Sequence, residues 1–124
     1  MGVLADVRAG EHDKMVRSFL KQFKNNSTLE ISCGFGRMAS EVSDYRGIDF
    51  SDEMIRRAND PRCTVANAHE YIPDKNYDVI FEVISLSSLD QTPTEFFERW
   101  KKYANKYVIC FEVDTFYIFP KWSE

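Results

Sequence analysis

Apolar positions along the chain follow two rhythms, a helical one and a strand-like one, and these alternate. From His12 to Phe23 the residues Met15, Val16, Phe19, Leu20 and Phe23 recur at intervals of three and four, with Asp13, Lys14, Arg17, Lys21 and Gln22 between them. That spacing predicts an amphipathic helix over about 12–24 that covers one side of a core. Asn25-Asn26-Ser27 ends it, and Thr28 to Ser32 reads as a short apolar strand followed by a glycine-containing turn. Met38 to Val42 reads as a short helix, and Tyr45 to Phe50 as a second strand that ends in an acid. Ser51 is placed to cap the next helix, with Asp52 and Glu53 in its favourable first turn and Met54, Ile55 and Ala58 on its inner face.

Cys63 to Ala66 is a third strand candidate, followed by the polar run Asn67 to Glu70 and a turn at Pro73-Asp74. The stretch from Tyr77 through Leu86 is the most apolar in the chain, as expected of a strand buried on both faces at the centre of a parallel sheet. Thr92-Pro93-Thr94-Glu95 carries a capping threonine, a proline at the first helical position and a glutamate at the third. Phe96, Phe97, Trp100, Tyr103 and Ala104 give that helix its apolar side, and Tyr107 to Phe111 reads as a fifth strand. Strands that alternate with helices over short connections imply an α/β domain: a parallel sheet with right-handed crossovers and helices on both faces.

At 124 residues the chain has the length of one domain, read as 1–124 with the covering helix at its start and an aromatic tail over 114–124. The net charge of −4 does not advertise a nucleic-acid partner, although Arg99, Lys101, Lys102 and Lys106 form a local basic group. Cys33, Cys63 and Cys110 sit in apolar runs without a C-x-x-C pair, as buried thiols of a reducing compartment do. No apolar run reaches the length of a membrane span, and Met1 to Glu11 lacks the core of a signal peptide. The expectation is a cytoplasmic protein.

Candidate chemistry collects where strands end. Glu30, Cys33, Gly34, Phe35 and Gly36 lie at the carboxyl end of the first strand, where ligands gather in open α/β sheets. Asp49 ends the second strand, where a carboxylate can accept both hydroxyl hydrogens of a ribose. Its alternatives are a surface acid or a cap for the helix beginning at Ser51.

Four segments in order carry a family resemblance: Leu29 to Arg37, Gly47 to Met54, Asn67 to Pro73 and Tyr77 to Phe81. They resemble the successive motifs of the Rossmann-like class I S-adenosylmethionine-dependent methyltransferases, and the likeness runs from about Thr28 to Val113. The resemblance implies a three-layer αβα domain with strand order 3-2-1-4-5 and S-adenosylmethionine as cofactor, S-adenosylhomocysteine being the product. It implies that Glu30 and the Cys33 to Gly36 turn, Phe35 included, hold the methionine portion. Asp49 would bind the ribose, Phe50 and Met54 would border the adenine, Asn67 with Ala68 would approach its amino group, and Phe81 to Ile84 would floor the sulfonium. Methyl transfer from this cofactor needs alignment rather than a covalent enzyme intermediate.

Departures from the pattern are specific. Ser32 stands where the first glycine of the motif is common, and Asn67 replaces the usual acid. The interval from Gly36 to Asp49 is short, so the Arg37 to Ser43 helix should be stubby. Few residues follow Val113, so the sheet should stop after its fifth strand with that edge open. Either the tail from Phe116 to Trp122 folds over the edge, or a homodimer or a partner subunit covers it.

Several residues carry competing readings. Phe50, Met54, Phe81 and Ile84 are apolar at structural spacings and suit a core as well as a pocket. Cys33 suits a packed thiol. Catalytic candidates are Glu82, an acid in an apolar strand that needs a partner or a substrate, and His69, of the type that exchanges protons near neutrality. No metal-ligand set is evident. The acceptor is open, with DNA disfavoured because no Asp/Asn-Pro-Pro-aromatic signature follows the fourth strand. The rival functions are a noncatalytic nucleoside-binding or interaction subunit and, more weakly, an NAD-linked oxidoreductase, whose G-x-G-x-x-G spacing fails at Ala39.

Overall fold

A computed structural model describes residues 2–121, with side chains from residue 10 onward. The chain opens with helix α1 (Gly2–Leu20), extended by a 3₁₀ turn at Lys21–Phe23. There follow β1 (Ser27–Ile31), a 3₁₀ turn at Ala39–Glu41, β2 (Asp44–Asp49), α2 (Asp52–Ala58) and β3 (Cys63–Val65). The second half holds β4 (Tyr77–Val83), the one-turn helix α3 (Leu86–Leu89), α4 (Pro93–Trp100), β5 (Ala104–Phe111) and β6 (Phe116–Pro120).

The sheet order is β3-β2-β1-β4-β5-β6. The first five strands pair in parallel, with Ile31 opposite both Ile48 of β2 and Glu82 of β4. The order reverses direction beside β1, so the carboxyl ends of β1 and β4 flank the crevice where such sheets receive ligands. The expected order of five strands holds, and the expected stop after the fifth does not. The tail turns back as β6, antiparallel to β5 in the register Ile109↔Ile118, and occupies the edge that β5 would have left open. Apolar pairs across this ladder, such as Phe111 against Phe116 at 4.8 Å between ring centroids, stabilise it. Trp122, part of the tail as read from sequence, lies outside the described residues.

Two cores lie on the two faces of the sheet. On one, Val16 and Leu20 from α1 and Phe23 from the 3₁₀ turn after it meet Phe81, Ile109 and Phe111, with Met38 and Tyr45 in the same core. On the other, Leu86, Leu89, Phe96, Phe97 and Trp100 cover Leu29, Ile31, Ile48, Ile80 and Val108. Alternation along β4 sends Val79, Phe81 and Val83 to the first core and Ile80 to the second, which is why this strand reads as an unbroken apolar run. Met15, counted with the inner face of α1 by its spacing, is exposed.

Helix α4 starts as its sequence dictates, with Thr92 Oγ1 accepting from Glu95 N–H and the Glu95 carboxylate accepting from Thr92 N–H. The short helix expected over Met38 to Val42 is reduced to the single 3₁₀ turn at Ala39–Glu41. Arg37 and Arg17 both bind Asp13, and Arg17 also reaches Glu41, so ion pairs tie this loop to α1.

Candidate functional site

A cavity of about 620 Å³ opens at the carboxyl ends of the strands. Its lining comes from β2 and the start of α2 (Asp49, Phe50, Ser51, Met54), the segment after β3 (Ala66 to His69), and the end of β4 with α3 (Val83, Ile84, Ser85, Ser88, Leu89). Ser32, at the head of the turn after β1, completes the ring.

That turn takes an unusual path. Ser32, Gly34 and Gly36 all have positive φ, at 60°, 58° and 78°. Glycine adopts this region without steric cost, whereas serine pays for it, which explains why a glycine suits the position that Ser32 fills. Gly36 also packs closely, since a Cβ there would meet Cys63 Sγ at 3.2 Å. The turn is held by Asp49. Its Oδ1 accepts the Gly34 N–H and its Oδ2 the Ser51 N–H, both at 3.0 Å. The helix is capped by Ser51 Oγ, which accepts from Met54 N–H, so capping leaves Asp49 free to face the cavity and bind the turn.

The structure brings Asp49, Phe50, Met54, Asn67, Ala68 and His69 together around the cavity. Phe50 is 81% exposed, a ring at the mouth and not in the core. Asn67 Oδ1 already accepts the His69 N–H at 2.9 Å, so one of its two acceptor positions is taken. Gly34, Phe35 and Gly36 form the turn behind Ser32, and Phe35 lies under the guanidinium of Arg57 at 5.1 Å.

Four candidates lie elsewhere. Phe81 is fully buried in the core beneath α1, edge-on to Phe111, because strand alternation turns it away from the cavity. Glu30 is buried on that same side of the sheet, its Oε1 accepting the Tyr45 hydroxyl at 2.6 Å. Cys33 is buried among Tyr45 and Gly47, and a Cβ on Gly47 would approach its Sγ to 2.8 Å, so only glycine leaves room there. Burial pushes the Cys33 thiol far up from its ordinary range, as suits a packed thiol. Glu82 is fully buried and does not line the cavity; its Oε1 accepts the N–H and the hydroxyl of Ser85, at 2.6 and 2.8 Å.

The strand read through Leu86 ends at Val83. Ile84 has φ 50°, a costly setting for a β-branched residue, and redirects the chain so that α3 begins at Leu86. Ser85, Ser88 and Leu89 thereby become cavity wall, which periodicity did not foresee. Arg99, one of the local basic group, is engaged within the chain. It stacks on Trp100 at 4.1 Å and donates to the carbonyls of Ala68 and Tyr71, fixing the segment that carries Asn67.

Both buried glutamates hold protons unusually tightly. Burial pushes the Glu30 carboxyl up to about 8 against the Tyr45 hydrogen bond, and burial together with Glu112 pushes Glu82 to about 8. An acid raised on folding binds its proton better in the folded chain, so stability is full below the ordinary value of 4.5 and declines as pH rises toward 8. Thermal midpoints should therefore fall between about pH 5 and about pH 8.5, and Glu30→Gln should flatten that slope. A midpoint constant across the range would contradict these assignments.

Among the described residues, no three His, Cys, Asp or Glu side chains gather as metal ligands would, and no helix is long and apolar enough to cross a membrane.

Residues 29–110 match the family model described as a methyltransferase domain. The chain belongs to that family. This methyltransferase domain has the Rossmann-like class I fold, seen also in solved structures of low sequence identity. Magnesium protoporphyrin IX methyltransferase from Synechocystis PCC 6803, crystallised with bound SAM, aligns with a TM-score of 0.67 at 18% identity over 86% of this chain and 60% of its own. A plantazolicin methyltransferase in complex with SAH aligns at 0.60 and 21% identity over 85% of this chain and 51% of its own. A S-adenosylmethionine-dependent methyltransferase from Clostridium acetobutylicum ATCC 824 aligns at 0.57 and 16% identity over 68% and 41%. The methyltransferase domain thus spans about half the length of these proteins. No curated protein sequence matches it.

Proposed function

We propose that the cavity binds S-adenosylmethionine and that the chain transfers its methyl group to an acceptor aligned at the cavity mouth. The observation that carries this reading is Asp49. Its carboxylate ends β2 on the cavity wall and binds the positive-φ turn of β1, so both parts of a nucleoside site are built as one unit.

The residues present fit the cofactor. Asp49 retains acceptor positions for ribose hydroxyls beyond the two backbone bonds it makes. Phe50 and Met54 offer apolar surface to an adenine, and Asn67 and Ala68 border the same end. Ser32 and the glycines behind it let backbone groups approach the methionine end. Val83 and Ile84 add apolar surface to the cavity wall. The cofactor supplies a methyl group on a positively charged sulfur, which departs as a neutral thioether. This chain's part is to bind, orient and desolvate. His69 lines the cavity and remains the candidate to take a proton from the acceptor, while Glu82 acts only through Ser85.

Titration with S-adenosylhomocysteine beside NAD tests the reading. Tight binding of the former should raise the thermal midpoint, by about 2.7 kcal/mol of linkage at a hundredfold excess over Kd, with no response to NAD. Folded protein with no response to millimolar S-adenosylhomocysteine would overturn it.

A further inference from the structure

Behind the cavity wall lies a second feature, a line of polar side chains. Ser85 lines the cavity and donates both its N–H and its hydroxyl to Glu82 Oε1. The other oxygen of Glu82, Oε2, is buried without a donor, and so is Glu112 Oε2. Glu82 stands opposite Cys110, one residue before the end of β4, and Glu112 follows β5 two residues beyond Cys110, with its carboxyl against that of Glu82. Burial and the Glu112 carboxyl beside it both disfavour a charge on Glu82, which therefore holds a proton. Glu112 also lines a second cleft of about 330 Å³, bounded by Leu86, Pro93 and Tyr117. A continuous chain of polar groups therefore runs from cavity to cleft: Ser85, Glu82, Glu112.

We propose that this chain lets the cavity distinguish the cationic sulfonium cofactor from its neutral thioether product. Glu82 keeps its proton while the cavity is empty or holds the thioether. It releases that proton past Glu112 to the cleft when a sulfonium lies across Ser85, leaving a negative charge on Glu82 behind the wall. Proton and charge balance, since one positive charge enters the cavity as one proton leaves. The inference rests on the assignment of the cavity to S-adenosylmethionine.

The other titratable groups that act on Glu82 are Glu30 from β1 and Cys110 from β5, and ionisation of either would add negative charge near it. Glu82 holds its proton up to about pH 8, so at neutral pH it has one to release. Cation-linked discharge strengthens sulfonium binding as pH rises, because less work is then needed to remove the proton.

Calorimetry of the full chain with S-adenosylmethionine and with S-adenosylhomocysteine, each in two buffers of different ionisation heat, reads the proton count directly. The sulfonium should release more protons than the thioether near neutral pH. The ratio of the two affinities should shift toward the sulfonium by roughly tenfold between about pH 6.5 and about pH 9. Glu82→Gln and Glu112→Gln should abolish both effects. Ser85→Ala should move the transition to higher pH, since its hydrogen bonds favour ionised Glu82.

Equal proton counts for two ligands that both bind would overturn the proposal and leave the cofactor assignment standing. So would a Glu82→Gln or Glu112→Gln variant that keeps the wild-type pH dependence. Failure of either ligand to bind would overturn the assignment and the proposal together.

Discussion

Replacing Asp49 by alanine is expected to weaken S-adenosylhomocysteine binding by roughly 1–3 kcal/mol, a loss of about 5- to 150-fold in affinity. Two effects combine. The ribose loses a charge-assisted acceptor, and the Gly34 and Ser51 amides lose the carboxylate that holds the β1 turn against α2. Ser51 still caps the helix, so α2 itself should persist and the thermal midpoint should move far less than the affinity. Asp49→Asn separates the two effects. It keeps one acceptor for Gly34, loses the one for Ser51 and loses the charge, so its affinity should fall between those of wild type and alanine. Calorimetry beside thermal melting decides the matter: a lowered midpoint with unchanged affinity would make Asp49 a structural tie and nothing more.

A pair of phenylalanines provides the second large effect, and the two should behave oppositely. Phe81→Ala should cost about 3–5 kcal/mol of stability, because the ring is fully buried and touches Phe111 in the core beneath α1. Folded Phe81→Ala protein should still bind S-adenosylhomocysteine with nearly unchanged affinity. Phe50→Ala removes a ring that is 81% exposed, so stability should stay within about 0.5 kcal/mol. Its affinity for the nucleoside should drop by roughly 1 kcal/mol, the worth of an aromatic contact with the adenine. Chemical denaturation and calorimetry on both variants test this. A Phe50→Ala variant that loses stability but not affinity would remove the aromatic wall from the site.

Much of the site was legible because its parts lie at strand ends, and strand ends are marked locally. Asp49 closes an apolar run just before a capping serine, and the Gly34 and Gly36 pair follows one. These signals require no knowledge of neighbours. Phe50 and Phe81 show where such reading stops. Phe50 follows β2 and Phe81 lies within β4, and their local patterns suit core and pocket equally. Which face each ring takes depends on the register of β2 and β4 against β1, a relation between distant segments. Glu82 is similar: its sequence says only that it must be satisfied, whereas Ser85 and Glu112 as its partners emerge from the bend at Ile84 and the pairing of β4 with β5.

The family resemblance implied the parallel order 3-2-1-4-5, and the amino-acid sequence by itself determined the alternation of strands and helices, the capped starts of α2 and α4, and the candidate corner between Ser32 and Asp49. Those features follow from periodicity, capping and turn chemistry, which act over a few residues. Tertiary structure alone decided that the tail becomes β6, that the helix after the glycine turn shrinks to one 3₁₀ turn, and that Arg99 braces the Asn67 segment. It also decided that Glu30 and Phe81 turn away from the cavity while Ser85 and Leu89 enter it. Strand β6 and the Arg99 brace answer backbone groups left unsatisfied once the sheet has assembled, whereas the facing of Glu30 and Phe81 follows from strand register, and both demands exist only between segments far apart in the chain.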